Sequence, residues 1–111
     1  MCSYNTPASP VNDSDDDLVF KALASPLRRR MLDALKEEPR TTGALCALFP
    51  EIDRTTALQH LRVLEKAELV TGRKVGRGRV LALAPLPIKR IHDRWISEYA
   101  QAAVALLERL G

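Results

Sequence analysis

Apolar residues recur in steps of three and four through the first part of the chain, the spacing that places them on one face of a helix. Leu18, Val19, Ala22 and Leu23 form the first such group, behind a start among Ser14–Asp17, whose acidic groups suit a helix N-terminus. Ser25-Pro26 then reads as an N-cap followed by proline at the first helical position. The second helix turns Leu27, Met31 and Leu35 inward and stops before Pro39. Thr41 or Thr42 caps a short third helix, GALCALF, which Pro50 ends. Asp53 caps a fourth, with Ala57, Leu61 and Leu64 on its inner side. Two helices joined by so short a turn, the second amphipathic, describe a helix-turn-helix.

After Leu69 the period changes to two. LVTGRKV and RVLALA read as short strands, and GRG between them as a turn. Pro85 and Pro87 separate this hairpin from a last helix carrying Ile88, Ile91, Trp95, Tyr99, Ala102, Leu106 and Leu110 at steps of three and four. The expected fold is mainly α with a small β-hairpin: a winged helix-turn-helix of five helices plus a two-stranded wing. Residues 1–13 are expected to form a flexible tail, and residues 14–111 the folded domain.

Length and composition narrow this further. A chain of 111 residues has room for one domain and one core. No apolar run approaches the roughly 18 residues that cross a bilayer. The N-terminal stretch has no basic segment followed by an apolar one, so a secretory signal is not expected. Only Cys46 falls inside the fold, which argues against a disulfide framework and for a cytoplasmic location. The net charge of +3 is unevenly spread. Residues 1–25 carry four Asp against one Lys, whereas residues 26–84 carry twelve Lys and Arg against seven Asp and Glu. That central basic excess favours a polyanionic partner.

The fourth helix sharpens the picture. At about 100° per residue, Thr55, Gln59, Arg62 and Lys66 fall opposite the apolar side, flanked by Thr56 and Val63, with Leu58 and His60 on the shoulders. A helix that only solubilises its outer face usually carries Glu and Lys there. Gln pairs bidentately with adenine, Arg with guanine, and Thr reaches base edges or phosphate. By itself such a face is open between solvation and base reading. The short turn before it and the basic hairpin after it favour a recognition helix.

DRTTALQHLRVLEKAELV resembles the recognition helix of ArsR-type (ArsR/SmtB) winged-helix repressors, whose pattern runs near S-x-x-x-V-S-x-H-L-x-V-L-x-x-A-G-L-V. ALASPLRRRMLDAL is similar to the opening A-D-P-T-R-R-x-I-L-x-x-L of that family. The resemblance implies a dimer whose recognition helices enter successive major grooves of a palindromic operator. By position it implies that Arg54, Thr55, Thr56 and Gln59 meet bases or nearby phosphates and that Arg62 holds backbone. His60 matches the His of H-L and stays open between packing and contact. Leu58 replaces the usual Ser and is suited to a thymine methyl; Glu68 stands where the family has Gly. Thr42, beginning the third helix, joins the candidate DNA contacts.

Arg73, Lys74, Arg77 and Arg79 suit a wing that reaches phosphates or a minor groove. VGRGRV lacks the spacing and terminal Lys-Ser/Thr of a nucleotide-binding loop. Arg28, Arg29 and Arg30 point about 100° apart and cannot form one patch; at least one is expected to pair with an acid inside the domain. Metal sensing, which the resemblance raises, lacks its ligands. ALCALF keeps Cys46 but has Leu48 at the second thiolate position, and the last helix offers only His92, Asp93 and Glu98. Cys46 reads as a small buried hydrophobe, with a redox switch as the sharper alternative. No nucleophile-base set or cofactor motif is present, so neither an enzyme nor a cofactor is expected. The long apolar stripe of the last helix, with Leu18 and Ala22 of the first and Ile91, Trp95, Tyr99, Ala102 and Leu106 of the last, is assigned to a homodimer seam.

These readings converge on a sequence-specific binder of double-stranded DNA that acts as a repressor. The alternatives are a repressor switched through Cys46 and a winged-helix module that docks other proteins. A small-molecule effector is left unassigned.

Overall fold

The computed structural model describes residues 13–111. Helix α1 (Asp13–Leu23) leads directly into α2 (Pro26–Glu37). The Ser25 side chain accepts a hydrogen bond from the Arg28 amide, and proline at N1 leaves no amide to satisfy. Strand β1 (Arg40–Thr41) precedes α3 (Thr42–Ala47), which Thr41 rather than Thr42 caps by accepting from the Ala44 amide at 3.1 Å. Helix α4 (Arg54–Lys66) is capped by Asp53, whose Oδ1 accepts from the Thr56 amide at 2.8 Å.

Strands β2 (Val70–Val75) and β3 (Gly78–Leu83) form the hairpin, with Val75 facing Gly78 and Arg73 facing Val80. Gly76 has φ 59°, the positive φ that a two-residue hairpin turn requires at its first central position. The sheet has a third strand that periodicity did not reveal: β1 pairs antiparallel with β3, giving the order β1-β3-β2. The expected two-stranded wing is present as β2 and β3, and β1 extends its sheet to three strands. Two residues are too few to display an alternating pattern, and only the pairing of Arg40 with Leu81 and Thr41 with Val80 makes them a strand.

The last helix is divided. α5 (Leu86–Ile91) passes through a π-helical stretch (His92–Ile96) into α6 (Ser97–Leu110). Helices α1, α2, α3 and α4 and the base of the sheet surround one core that includes Val19, Met31, Leu35, Leu45, Leu61, Leu64, Leu69 and Leu81. Fully burying a Leu or Val of this kind stabilises the fold by about 1.5–3 kcal/mol. Ala22 is 0% exposed and Ile91 3%, so these two, expected at a seam between copies, are corrected to core residues of the protomer itself. They are covered because α5 folds back onto α1, a contact the last helix's stripe could not announce.

Arg28 and Arg29 serve the end of α1. Arg28 donates from Nε to the Ala22 carbonyl at 2.8 Å and from Nη2 to the Lys21 carbonyl at 2.9 Å; Arg29 donates to the Leu23 carbonyl. Arg30 pairs with Glu51 at 3.5 Å, the internal acid expected for one of the three. On the far side, Arg94 pairs with the largely buried Asp16, and Trp95 stands edge-on to Phe20 with ring centroids 5.9 Å apart.

Candidate nucleic-acid interface

The outer face of α4 carries Arg54, Thr55, Gln59 and Arg62, all exposed. None of these four has an acidic partner among the described residues, so their donors stand free for an external acceptor. Ala57, Leu61 and Leu64 on the opposite face are buried, which fixes the rotation of the helix and aims the polar row outward. Thr56 is half-buried at the capped end. The Asp53 carboxyl is held below its ordinary range, chiefly by the Thr56 amide, so the cap is ionised at the positive end of the helix.

Leu58 is half-buried against the core and lines the groove beside α4. His60 is tied inward. Arg28 donates from Nη1 to its Nδ1 at 3.0 Å, and because arginine has no acceptor the imidazole carries its proton on Nε2. Burial first, and then the nearby Arg28 charge, lower the His60 pKa from its ordinary value.

A groove of about 390 Å³ lies between α1 and the π-helical stretch, away from this face. The relevant one, of about 310 Å³, lies between the start of α3, the recognition helix and the wing, and is lined by Thr41, Thr42, Arg54, Leu58, Arg77 and Arg79. It brings Thr42 and the wing cations beside α4. Thr41 and Gly43 also line it, and sequence reasoning did not single them out, because only the turn from β1 into α3 brings them alongside α4 and the wing. Wing residues Arg73, Lys74 and Arg77 are exposed and have no acidic partner among the described residues. Arg79 differs: its Nη2 donates to Glu65 Oε2 of the recognition helix at 2.6 Å.

Cys46 is half-buried against the core, and no cluster of three or more His, Cys, Asp or Glu gathers among the described residues to hold a metal ion. Among the expected seam residues, Leu18 is half-buried, while Trp95, Tyr99, Ala102 and Leu106 are exposed. No helix among the described residues is long and apolar enough to cross a membrane.

A family described as "Helix-turn-helix domain" matches residues 23–73. The uncharacterized HTH-type transcriptional regulator YuzN of Bacillus subtilis is 34% identical over 90 residues, covering 76% of this chain and 98% of that protein. The HTH-type transcriptional regulator Rv2034 of Mycobacterium tuberculosis is 34% identical over 108 residues, covering 91% of this chain and 92% of its own. The transcriptional repressor SdpR of Bacillus subtilis is 36% identical over 59 residues, 53% of this chain and 64% of its own. Among solved structures, an ArsR family transcriptional regulator superposes with a TM-score of 0.71 at 27% identity, covering 79% of this chain and 94% of that one. The homodimeric winged helix-turn-helix DNA-binding domain Mb0332 of Mycobacterium bovis, a possible ArsR-family regulator, gives 0.64 at 25% identity, covering 97% and 94%. With the capped recognition helix, the basic wing and both signature stretches in place, the chain belongs to the ArsR family of winged helix-turn-helix transcriptional regulators.

Proposed function

We propose that this regulator is a cytoplasmic, homodimeric repressor, without enzymatic activity, that binds a palindromic operator in double-stranded DNA. One observation carries the reading: the polar row of Arg54, Thr55, Gln59 and Arg62, free of acidic partners among the described residues, lies beside the basic wing, whose Arg77 lines one groove with Arg54. The row is spaced to reach base edges in a major groove. On this reading Thr42, Thr56 and the wing meet the flanking phosphates and supply most of the affinity. Leu58 offers a methyl-bearing contact at the groove wall. His60 serves the protein's own packing through Arg28 instead of contacting a base.

A homodimer follows from the apolar surface left on the last helix and agrees with the homodimeric Mycobacterium bovis relative. The repressor sense agrees with SdpR.

Fluorescence anisotropy tests the reading, comparing the duplex upstream of the regulator's own gene, and duplexes selected from a random pool, with shuffled controls at two salt concentrations. Selective binding that weakens steeply with salt is expected. The absence of any selected sequence, with no binding even at low salt, overturns it in favour of a protein-docking module. Loss of binding on oxidation that reductant restores would instead bring Cys46 forward as a switch.

A further inference from the structure

An acid on a DNA-facing groove needs a reason. Glu65 sits in the C-terminal half of the recognition helix and lines a groove of about 140 Å³ with Thr42, Leu58, Arg62, Arg79 and Leu81. A lone carboxylate there would repel phosphate and lower affinity. It is not alone. Arg79, on β3, reaches across the hairpin and donates to Glu65 at 2.6 Å, with the Glu65 side chain 27% exposed and that of Arg79 51%.

The path of that side chain is built into the sheet. Arg79 lies over Gly72 of β2, where an added Cβ would fall 1.9 Å from Nη2 and 2.6 Å from Cζ. Only a residue without a side chain leaves the guanidinium this route. Three positions on three elements thus meet at one point: Glu65 on α4, Gly72 on β2 and Arg79 on β3. Arg73, Lys74 and Arg77, in contrast, have no such tether.

We infer that Arg79 is a positioning residue rather than a DNA contact: held by Glu65 across Gly72, it sets the angle of the wing against the recognition helix so that both meet DNA together. The inference rests on the DNA-binding reading above and corrects its wing, leaving Arg73, Lys74 and Arg77 as the phosphate-facing set. Because Glu65 neutralises its charge, Arg79 adds little to the attraction of phosphate. Its effect is geometric, and it is lost equally when either member of the pair is removed.

The two roles predict opposite signs. If Arg79 positions the wing, Glu65→Ala and Arg79→Ala each weaken operator binding by about two- to fivefold, the scale of a partly exposed ion pair. The double variant is then no weaker than either single one. Gly72→Ala displaces the guanidinium and gives a similar loss, with no further loss in the Arg79→Ala background. The slope of log affinity against log salt stays at the wild-type value in all of them. If Arg79 instead contacts phosphate, Glu65→Ala frees it and tightens binding, and Arg79→Ala lowers the slope by about 0.9. Either result, or additive losses in the double variant, overturns the inference.

Hydrogen exchange on the DNA-free protein supplies an independent arm. Amides of residues 71–75 should exchange faster, and by the same factor, in Glu65→Ala and Arg79→Ala. Unchanged exchange overturns the inference whether or not an operator is found. Failure of the wild-type protein to bind DNA, with exchange accelerated in both variants, would instead retain the strut and discard the DNA reading.

Discussion

At the residue scale the most informative side chain is His60. On a helical wheel it is a shoulder residue, equally suited to the core or to DNA. In the structure Arg28 holds two α1 carbonyls and His60 Nδ1 at once. That bond needs a neutral imidazole, and burial and the Arg28 charge both disfavour protonation. The sign follows by linkage. The folded pKa lies below the ordinary imidazole value of 6.5, so the unfolded chain takes up the proton first. The contribution of His60 is fully present above about 6.5 and fades as pH falls through the unfolded value toward the folded one. Chemical denaturation at pH 7.5 and 5.5 checks this: wild type should lose more stability on acidification than His60→Gln, which keeps an acceptor that does not titrate. Equal losses would show that the Arg28 contact is indifferent to charge. Asp53 and Asp93 are both held below 3.8 and shed their share only at more acid pH, outside this window.

At the scale of elements, the end of α4 shows what a departure from a family pattern costs. Glu68, at the position of Gly in the pattern that this helix resembles, has φ 63°. The turn is nonetheless closed by a Schellman pair: the Glu68 amide donates to the Glu65 carbonyl at 2.9 Å and the Leu69 amide to the Leu64 carbonyl at 3.0 Å. Leu69 is drawn fully into the core by the same turn, which is why the chain accepts a left-handed glutamate here. A non-glycine residue in that region costs about 1–2 kcal/mol, partly offset by glycine's greater freedom when unfolded. Glu68→Gly should therefore raise unfolding free energy by about 0.5–1 kcal/mol, read from urea midpoints. A destabilised variant would mean that the Glu68 side chain makes up the difference elsewhere.

Helix periodicity made α1, α2 and α4 legible, together with the two caps and the row of Arg54, Thr55, Gln59 and Arg62. It could not show β1, whose existence depends on a partner strand forty residues away. Nor could it show the π-helical stretch, since one extra residue per turn leaves the apolar spacing of His92–Ile96 looking helical.

For the whole molecule, shape is the telling quantity. The radius of gyration is 17.5 Å, against about 13 Å for a compact chain of this length. The excess comes from α6, which buries none of its residues and leaves Tyr99 61%, Leu107 66% and Leu110 76% exposed. A helix of 14 residues with no packing of its own is marginal in water, so its apolar stripe calls for a second copy. Leu106→Glu should halve the mass measured by light scattering and abolish high-affinity operator binding, because one recognition helix cannot span two half-sites. A dimeric mass that persists would move the seam off α6.

The helix-turn-helix, the basic hairpin and the polar row are legible in the chain itself, because these rest on local propensity, capping and the direction in which successive side chains point. It takes the folded chain to bury Ala22 and Ile91 in the protomer's own core, to bring Arg28 to His60, and to tether Arg79 to Glu65. Each of those depends on which distant side chain arrives at the same place, and neither a period nor a motif within one segment carries that information.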